Sequence, residues 1–130
     1  MIIDFTNKEE ILTESWLRQF GEWNKLLLKQ MYGKDVNMYA KLPGIGDFAK
    51  IFEEEGTPNG DSSLKYVVRG EKKDLKAYAD ALYAEKNYLD QYLQYGEGHM
   101  QTEKARAVLR QAVSKFETQT GIAWPFTDEG

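Results

Sequence analysis

Apolar residues early in the chain recur with the period of an amphipathic helix. They are spaced by three or four residues, at Leu12, Trp16, Phe20, Trp23, Leu27 and Met31. This spacing places them on one face, because one helical turn takes 3.6 residues. Thr6 and Glu9 have the spacing of an N-terminal capping box, and Gly33 is placed to end the helix. The pattern predicts a long helix over residues 7–32.

Two further helices are predicted in the second half of the chain. The first covers residues 72–95, and its apolar face consists of Leu75, Tyr78, Leu82, Leu89, Tyr92 and Leu93. The second covers residues 102–120, with Ala105, Leu109, Ala112 and Phe116 on one face. Gly96 and Gly121 are placed as stop residues. The connection between the two helices is short, so we expect an antiparallel hairpin, with residues 124–126 folding back onto it.

The segment between these helices, residues 34–70, has a mixed pattern. Residues 36–42 and 64–69 alternate between apolar and polar positions, which predicts two short strands that could pair as a ribbon. Residues 48–55, preceded by Asp47 as a cap, are predicted as a short helix. The fold class expected is therefore mainly α: a single domain over residues 1–130 with a three-helix bundle-like core. A long N-terminal helix and a C-terminal helical hairpin form that core, and the insertion is small and irregular or two-stranded.

Composition narrows the class of protein. Hydrophobic residues make up 42% and charged residues 29%, which is typical of a folded globular chain. The formal net charge is −4, which argues against a general nucleic-acid-binding protein, since these are usually basic. No apolar run is long enough for a membrane helix, and the N-terminus lacks the pattern of a signal peptide. We therefore expect a cytoplasmic protein with no membrane partner.

The sequence offers no pattern of catalytic, cofactor-binding or metal-binding residues. Cysteine is absent, which excludes thiolate zinc sites and cysteine nucleophiles. His99 is the only histidine and has no ligand-spaced neighbour, so we interpret it as a loop residue. The glycines of residues 44–46 lack the rest of a phosphate loop, and the glutamates of residues 53–55 point in different directions on a helix. No cofactor or metal is expected.

A basic patch and a tyrosine-rich helix are the surface features that favour binding. The patch consists of Lys65, Arg69, Lys72, Lys73 and Lys76, diluted by Glu71 and Asp74, and is either a mixed solvated surface or an electrostatic contact. Five of the eight tyrosines lie between residues 78 and 95. Tyrosine is enriched where protein surfaces meet, so the predicted partner-binding residues are Tyr83, Tyr88, Tyr95 and Trp124. Packing at the core is the alternative for these side chains, Trp124 above all.

Residues 74–82, 104–107 and 120–126, with the sequences DLKAYADAL, KARA and TGIAWPF, resemble small uncharacterised proteins of tailed bacteriophages. The resemblance covers about the last 60 residues. It implies a virion component, or a small protein directed at the host, located in the host cytoplasm or the virion. It supplies no functional residue.

The function expected is therefore a non-enzymatic protein-binding or structural module, in a virion or its assembly, acting through a protein partner or self-association. Two alternatives stay open. One is a small regulator or inhibitor that binds a host protein. The other is an enzyme that uses carboxylates in residues 35–61, which a pocket with two convergent acids would favour.

Overall fold

The computed structural model describes residues 2–31, 36–37, 48–54 and 65–126. Within them the elements are, in chain order, β1 (Ile2–Asp4), α1 (Glu14–Met31), β2 (Val36–Asn37), β3 (Phe48–Glu54), β4 (Lys65–Arg69), α2 (Lys72–Tyr95) and α3 (Met100–Thr120). The described chain is mainly helical, with three helices as predicted. The strands form one sheet in the order β1-β4-β3-β2. The mainly helical, three-helix fold class is thereby confirmed.

The C-terminal hairpin matches the prediction closely. α2 has the predicted bounds, and α3 begins two residues before the predicted start. Gly121 adopts a left-handed conformation with φ of 74°, and its amide donates to the carbonyl of Glu117 at 2.9 Å. Ile122 is fully buried after this turn, and the chain then folds back so that Trp124 enters the core. A glycine stop followed by an apolar contact thus ends α3 as expected.

α1 begins later than predicted, at Glu14 instead of near residue 7. The expected capping box is absent, because the Thr6 hydroxyl donates to Asp4 Oδ1 at 2.6 Å. Turns that begin at Asn7 follow, and the Thr13 hydroxyl accepts from the Trp16 amide at 3.2 Å in the manner of an N-cap. Ile11, which lies in these turns, has a buried side chain, whereas Leu12 is exposed. The predicted apolar stripe of α1 therefore starts at Trp16.

Among the described residues the sheet has four strands, and the two predicted strands do not pair with each other as a ribbon, because β3 lies between them. β1 pairs in parallel with β4, placing Ile3 opposite Val68, and both side chains are buried. β3 pairs antiparallel with β4, and β2 antiparallel with β3. The helix predicted over residues 48–55 is wrong, since Phe48–Glu54 is a strand. The two predicted strands are present as β2 and β4, although residues 38–42 and 64 lie outside the described residues.

One aromatic-rich cluster forms the core between the helices and the sheet. Phe20 from α1 lies 6.1 Å from the ring of Phe116 in α3 and 5.8 Å from that of Tyr78 in α2. Phe5, which follows β1, contacts the same three rings. The Tyr78 hydroxyl donates to Asn24 Oδ1 at 2.5 Å, and the Asn24 amide donates to the Phe20 carbonyl, so this buried polar group is satisfied. In this core, side chains of all three helices pack against the residue that follows β1.

Candidate functional site

The apolar face of α2 is longer than the core that it helps to form. The core cluster contains side chains of α2 only as far as Leu82, and Leu89 packs against its edge. Leu89 and Leu93 follow Leu82 at intervals of seven and eleven residues, so all three lie along one side of the helix. Leu93 lies about 16 Å beyond Leu82 along the axis and is 60% exposed. The face therefore continues past the core into solvent.

The end of the hairpin presents four large exposed side chains within one helical turn of the connecting loop. Tyr92, Leu93 and Tyr95 belong to the last turn of α2, and Met100 is the first residue of α3. We call these four residues the hairpin tip. Large apolar and aromatic side chains concentrated at one exposed place are typical of surfaces that contact other proteins.

The loop that carries the hairpin tip is held in one conformation. Gly96 and Gly98 have φ of 84° and 83°, a region that favours glycine. The imidazole Nδ1 of His99 accepts from the Gln101 amide at 3.1 Å and so caps α3. The buried Thr102 hydroxyl donates to the Gly96 carbonyl at 2.8 Å. His99 is accordingly a loop residue, as predicted, with a structural role that its sequence context did not reveal.

One stacked and one tilted ring contact position the tyrosines of the hairpin tip. The ring of Tyr95 stacks on the His99 imidazole, with centroids 4.5 Å apart and planes inclined by 19°. The ring of Tyr92 lies 6.2 Å from that of Tyr88. A tyrosine that is already held by a neighbouring ring loses less conformational entropy on binding. Both exposed aromatic side chains of the tip are therefore preorganised for contact.

Tyr88 is anchored inside the hairpin. Its hydroxyl accepts from Arg106 Nη2 at 2.9 Å, and the guanidinium carbon lies 5.4 Å from the ring centre. Arg106 is buried and also pairs with Glu103 at 3.4 Å. Tyr88 therefore joins α2 to α3 and supports the ring of Tyr92, and its half-buried position leaves only part of it for a partner.

The structure does not bring the four predicted partner-binding residues together. Tyr95 is 42% exposed and belongs to the hairpin tip, and Tyr88 lies behind it. Tyr83 is 47% exposed but stands nine residues before Tyr92, on the opposite side of α2. Trp124 is 5% exposed and lies in the core. The proposal of Trp124 as an exposed anchor is therefore corrected: the segment after α3 folds back and buries it.

The apolar periodicity of α2 predicts Tyr92 and Leu93 on the face that packs in the core, so neither is among the predicted partner-binding residues. Their periodicity is correct, since they continue the stripe of Leu82 and Leu89. Spacing alone gives no information about where the neighbouring helix and sheet end. Helix length gave no sign of the uncovered end either, because the helix predicted over residues 7–32 is longer than α2, and only the structure shows that α1 begins at Glu14.

The described residues meet neither the requirements of a metal site nor those of a membrane-spanning helix. Among them, no three His, Cys, Asp or Glu side chains are grouped so that they could hold a metal ion. None of the helices in the described ranges is long and apolar enough to cross a membrane. The glycines of residues 44–46 and most of the acidic segment 35–61 lie outside the described residues.

Comparison with known proteins identifies no relative. The chain matches no protein-family model, no curated protein and no solved structure.

Proposed function

We propose that this protein is a non-enzymatic module that binds another protein through the hairpin tip. The observation that carries the proposal is the exposure of Leu93 and its neighbours at the end of an apolar face that the core does not cover. Burying apolar surface contributes about 25 cal/mol of favourable free energy per Å². A partner that covers the exposed apolar face would therefore form a stable complex. Tyrosine supplies that area at low entropic cost, and the flexible methionine adapts to irregular surfaces.

The chemistry of the hairpin tip suits an apolar partner surface. The four side chains of the tip carry no charge, and the nearby cations Lys86 and Arg106 are buried or nearly so, and paired with Asp90 and Glu103. The four tip side chains bring no charge to an interface, and the exposed Glu97 of the connecting loop would have to stay at its solvated rim, because burying an unpaired charge is costly. The expected partner face is therefore an apolar groove or a second apolar helix.

The setting that we propose is a bacteriophage virion or its assembly, in which this chain would be a structural component. The resemblance of residues 74–82, 104–107 and 120–126 to proteins of tailed phages supports this setting. The alternative is a small regulator or inhibitor of a host protein. The two differ in partner: a structural component associates with itself or with particle proteins, whereas an inhibitor stays monomeric and holds one host protein.

Replacement of an exposed leucine tests the role of the hairpin tip. Leu93→Ser removes an apolar contact from the tip, and Leu26→Ser removes one from α1, where Leu26 is 50% exposed. Both changes should leave the free energy of unfolding within about 1 kcal/mol of the original value, since both side chains are exposed. Circular dichroism in urea would check that both variants fold.

Association would then be measured by size-exclusion chromatography with light scattering, and by capture from phage-infected and uninfected cells. We expect Leu93→Ser to lower self-association or capture about tenfold or more, in the range of a loss at an interface hot spot, while Leu26→Ser retains it. Equal behaviour of the two variants, or a wild-type protein that neither self-associates nor captures any protein, would overturn the proposal. A monomer that captures one host protein from uninfected cells would favour the regulator.

A further inference from the structure

A second surface lies on the same hairpin, at the end away from the hairpin tip. It is a groove of about 480 Å³ between the first half of α2 and the last turns of α3. Three lysines line it, Lys73 and Lys76 from α2 and Lys115 from α3. Asp80 is the single carboxylate among the lining residues. We call this the lysine groove.

The positive charge of the lysine groove is only partly neutralised. Lys76 Nζ lies 2.9 Å from Asp80 Oδ2, and this pair cancels one charge. Lys73 and Lys115 have no ion pair or hydrogen bond from their ammonium groups within the described part of the chain. The carboxylate of Asp74, one residue from Lys73, accepts from Lys8 and Gln119 and is thereby already engaged. Two uncompensated ammonium groups therefore face one groove in a chain of net charge −4.

The surroundings of these two lysines add to the attraction for an anion. Ser114 and Thr118, one turn apart on α3, place two hydroxyl donors in the lining. The first turns of α2 and the last turns of α3 meet at the groove, so the opposite ends of the two helix dipoles offset each other and the lysines supply the positive potential. Lysine ammonium groups on flexible stems bind phosphate as point charges.

We propose that the lysine groove binds a compact, multiply charged phosphate group carried by a small molecule. Its volume lies at the lower end of the range of small-molecule pockets, about 300–1,000 Å³, which suits a diphosphate better than an extended chain. A nucleic-acid backbone is disfavoured, because the rest of the chain is acidic and would repel the flanking phosphates. The proposal does not depend on the hairpin tip, whose residues contribute nothing to this groove.

A titration with inorganic pyrophosphate, followed by ¹⁵N–¹H NMR spectra of the full chain, tests the proposal. The test variant is Lys73→Gln with Lys115→Gln. The matched control is Lys25→Gln with Lys29→Gln, two exposed lysines one turn apart on α1 that change the net charge equally. We expect saturable shifts confined to residues 73–80 and 114–119. The dissociation constant should rise about tenfold in the test variant and stay within about twofold in the control, since a tenfold change needs only 1.4 kcal/mol from two charges.

Two further ligands identify the source of the phosphate. Adenosine diphosphate that binds in the groove more tightly than pyrophosphate would indicate a nucleotide, and equal binding would indicate the phosphate group alone. Hexaglutamate serves as a model of an acidic peptide, and tighter binding of this ligand than of pyrophosphate would overturn the proposal. Unsaturable shifts at lysines throughout the chain, or an equal loss in the two lysine variants, would overturn it as well.

Discussion

The indole Nε1 of Trp124 donates a 2.9 Å hydrogen bond to the carboxylate of Glu85, and both side chains are buried. The backbone amide of Trp124 donates to Glu117 Oε2 at 2.8 Å, so the residue is held at its backbone and at its ring. Its ring also meets that of Phe116 edge-on, with centroids 5.1 Å apart. These contacts connect the segment after α3 to the middle of α2. Trp124 therefore contributes to the stability of the fold.

Trp124→Phe should therefore lower stability without changing association. The substitution removes the donor to Glu85 and leaves a buried carboxylate oxygen without this bond, which costs about 1–3 kcal/mol of unfolding free energy. Urea denaturation followed by circular dichroism would measure the change. Glu85→Gln serves as the control, because the amide oxygen can still accept from the indole. Loss of association at unchanged stability would show instead that Trp124 contacts the partner.

The sequence was sufficient for the hairpin because its determinants are local. The stripe from Leu75 to Leu93 and the stop at Gly96 each depend on residues within a few turns of one another. The bounds of α2 follow from these features alone. The same local information could place Tyr92 and Leu93 on a face, but whether that face is covered depends on how far α1 and the sheet extend, which is a property of the packed structure.

The strands were harder to predict because their pairing is not local. β1 has three residues and pairs with β4, so Ile3 pairs with Val68 across half of the chain length. Residues 48–54 have Phe48, Ile51 and Phe52 at helical spacing, and Phe48 and Phe52 also fit the alternation of a strand. A short apolar run is ambiguous by periodicity. Pairing with β4 decides in favour of the strand.

Gly21 in the middle of α1 offers a route to higher stability. A Cβ added there would lie 3.6 Å from Pro125 Cβ, an ordinary van der Waals distance. Gly21→Ala should therefore raise the unfolding free energy by about 0.5–1 kcal/mol, since alanine loses less backbone entropy in a helix. The midpoint of urea unfolding would shift upward. A lower midpoint would show that the segment carrying Pro125 packs more tightly against α1 than this distance indicates.

Gly70 gives the opposite expectation for the same substitution. A Cβ there would lie 3.2 Å from Phe5 Cβ, and that atom is fixed to the backbone just after β1. Gly70→Ala should lower the unfolding free energy by about 1–3 kcal/mol, because the strand must shift to relieve the overlap. Thermal and urea unfolding would measure the loss. A neutral result would mean that β1 adjusts without loosening the core.

Replacement of Tyr83 tests whether an exposed aromatic side chain outside the hairpin tip contributes to association. Its side chain is 47% exposed on the side of α2 opposite Tyr92, so Tyr83→Ala should change the unfolding free energy by less than about 0.5 kcal/mol. Because Tyr83 lies outside the hairpin tip, a partner bound by the tip alone predicts unchanged association in this variant, and weaker association would make Tyr83 a second contact. Light scattering and thermal unfolding of the same sample would report both quantities. A clear fall in the melting temperature would show instead that the ring supports the fold.

His99 both caps α3 and stacks on Tyr95, and two substitutions can distinguish these roles. Its Nδ1 caps α3 by accepting from the Gln101 amide, and its ring stacks on Tyr95. His99→Ala removes both contacts and should lower the unfolding free energy by about 0.5–2 kcal/mol, the usual cost of losing an N-cap. His99→Asn retains a strong cap but removes the stack, so stability should recover while Tyr95 becomes more mobile. Urea unfolding would measure the first effect, and side-chain NMR relaxation of Tyr95 the second. If both variants lost the same stability, the stack and not the cap would hold the loop, and the hairpin tip would owe its order to the contact between His99 and Tyr95.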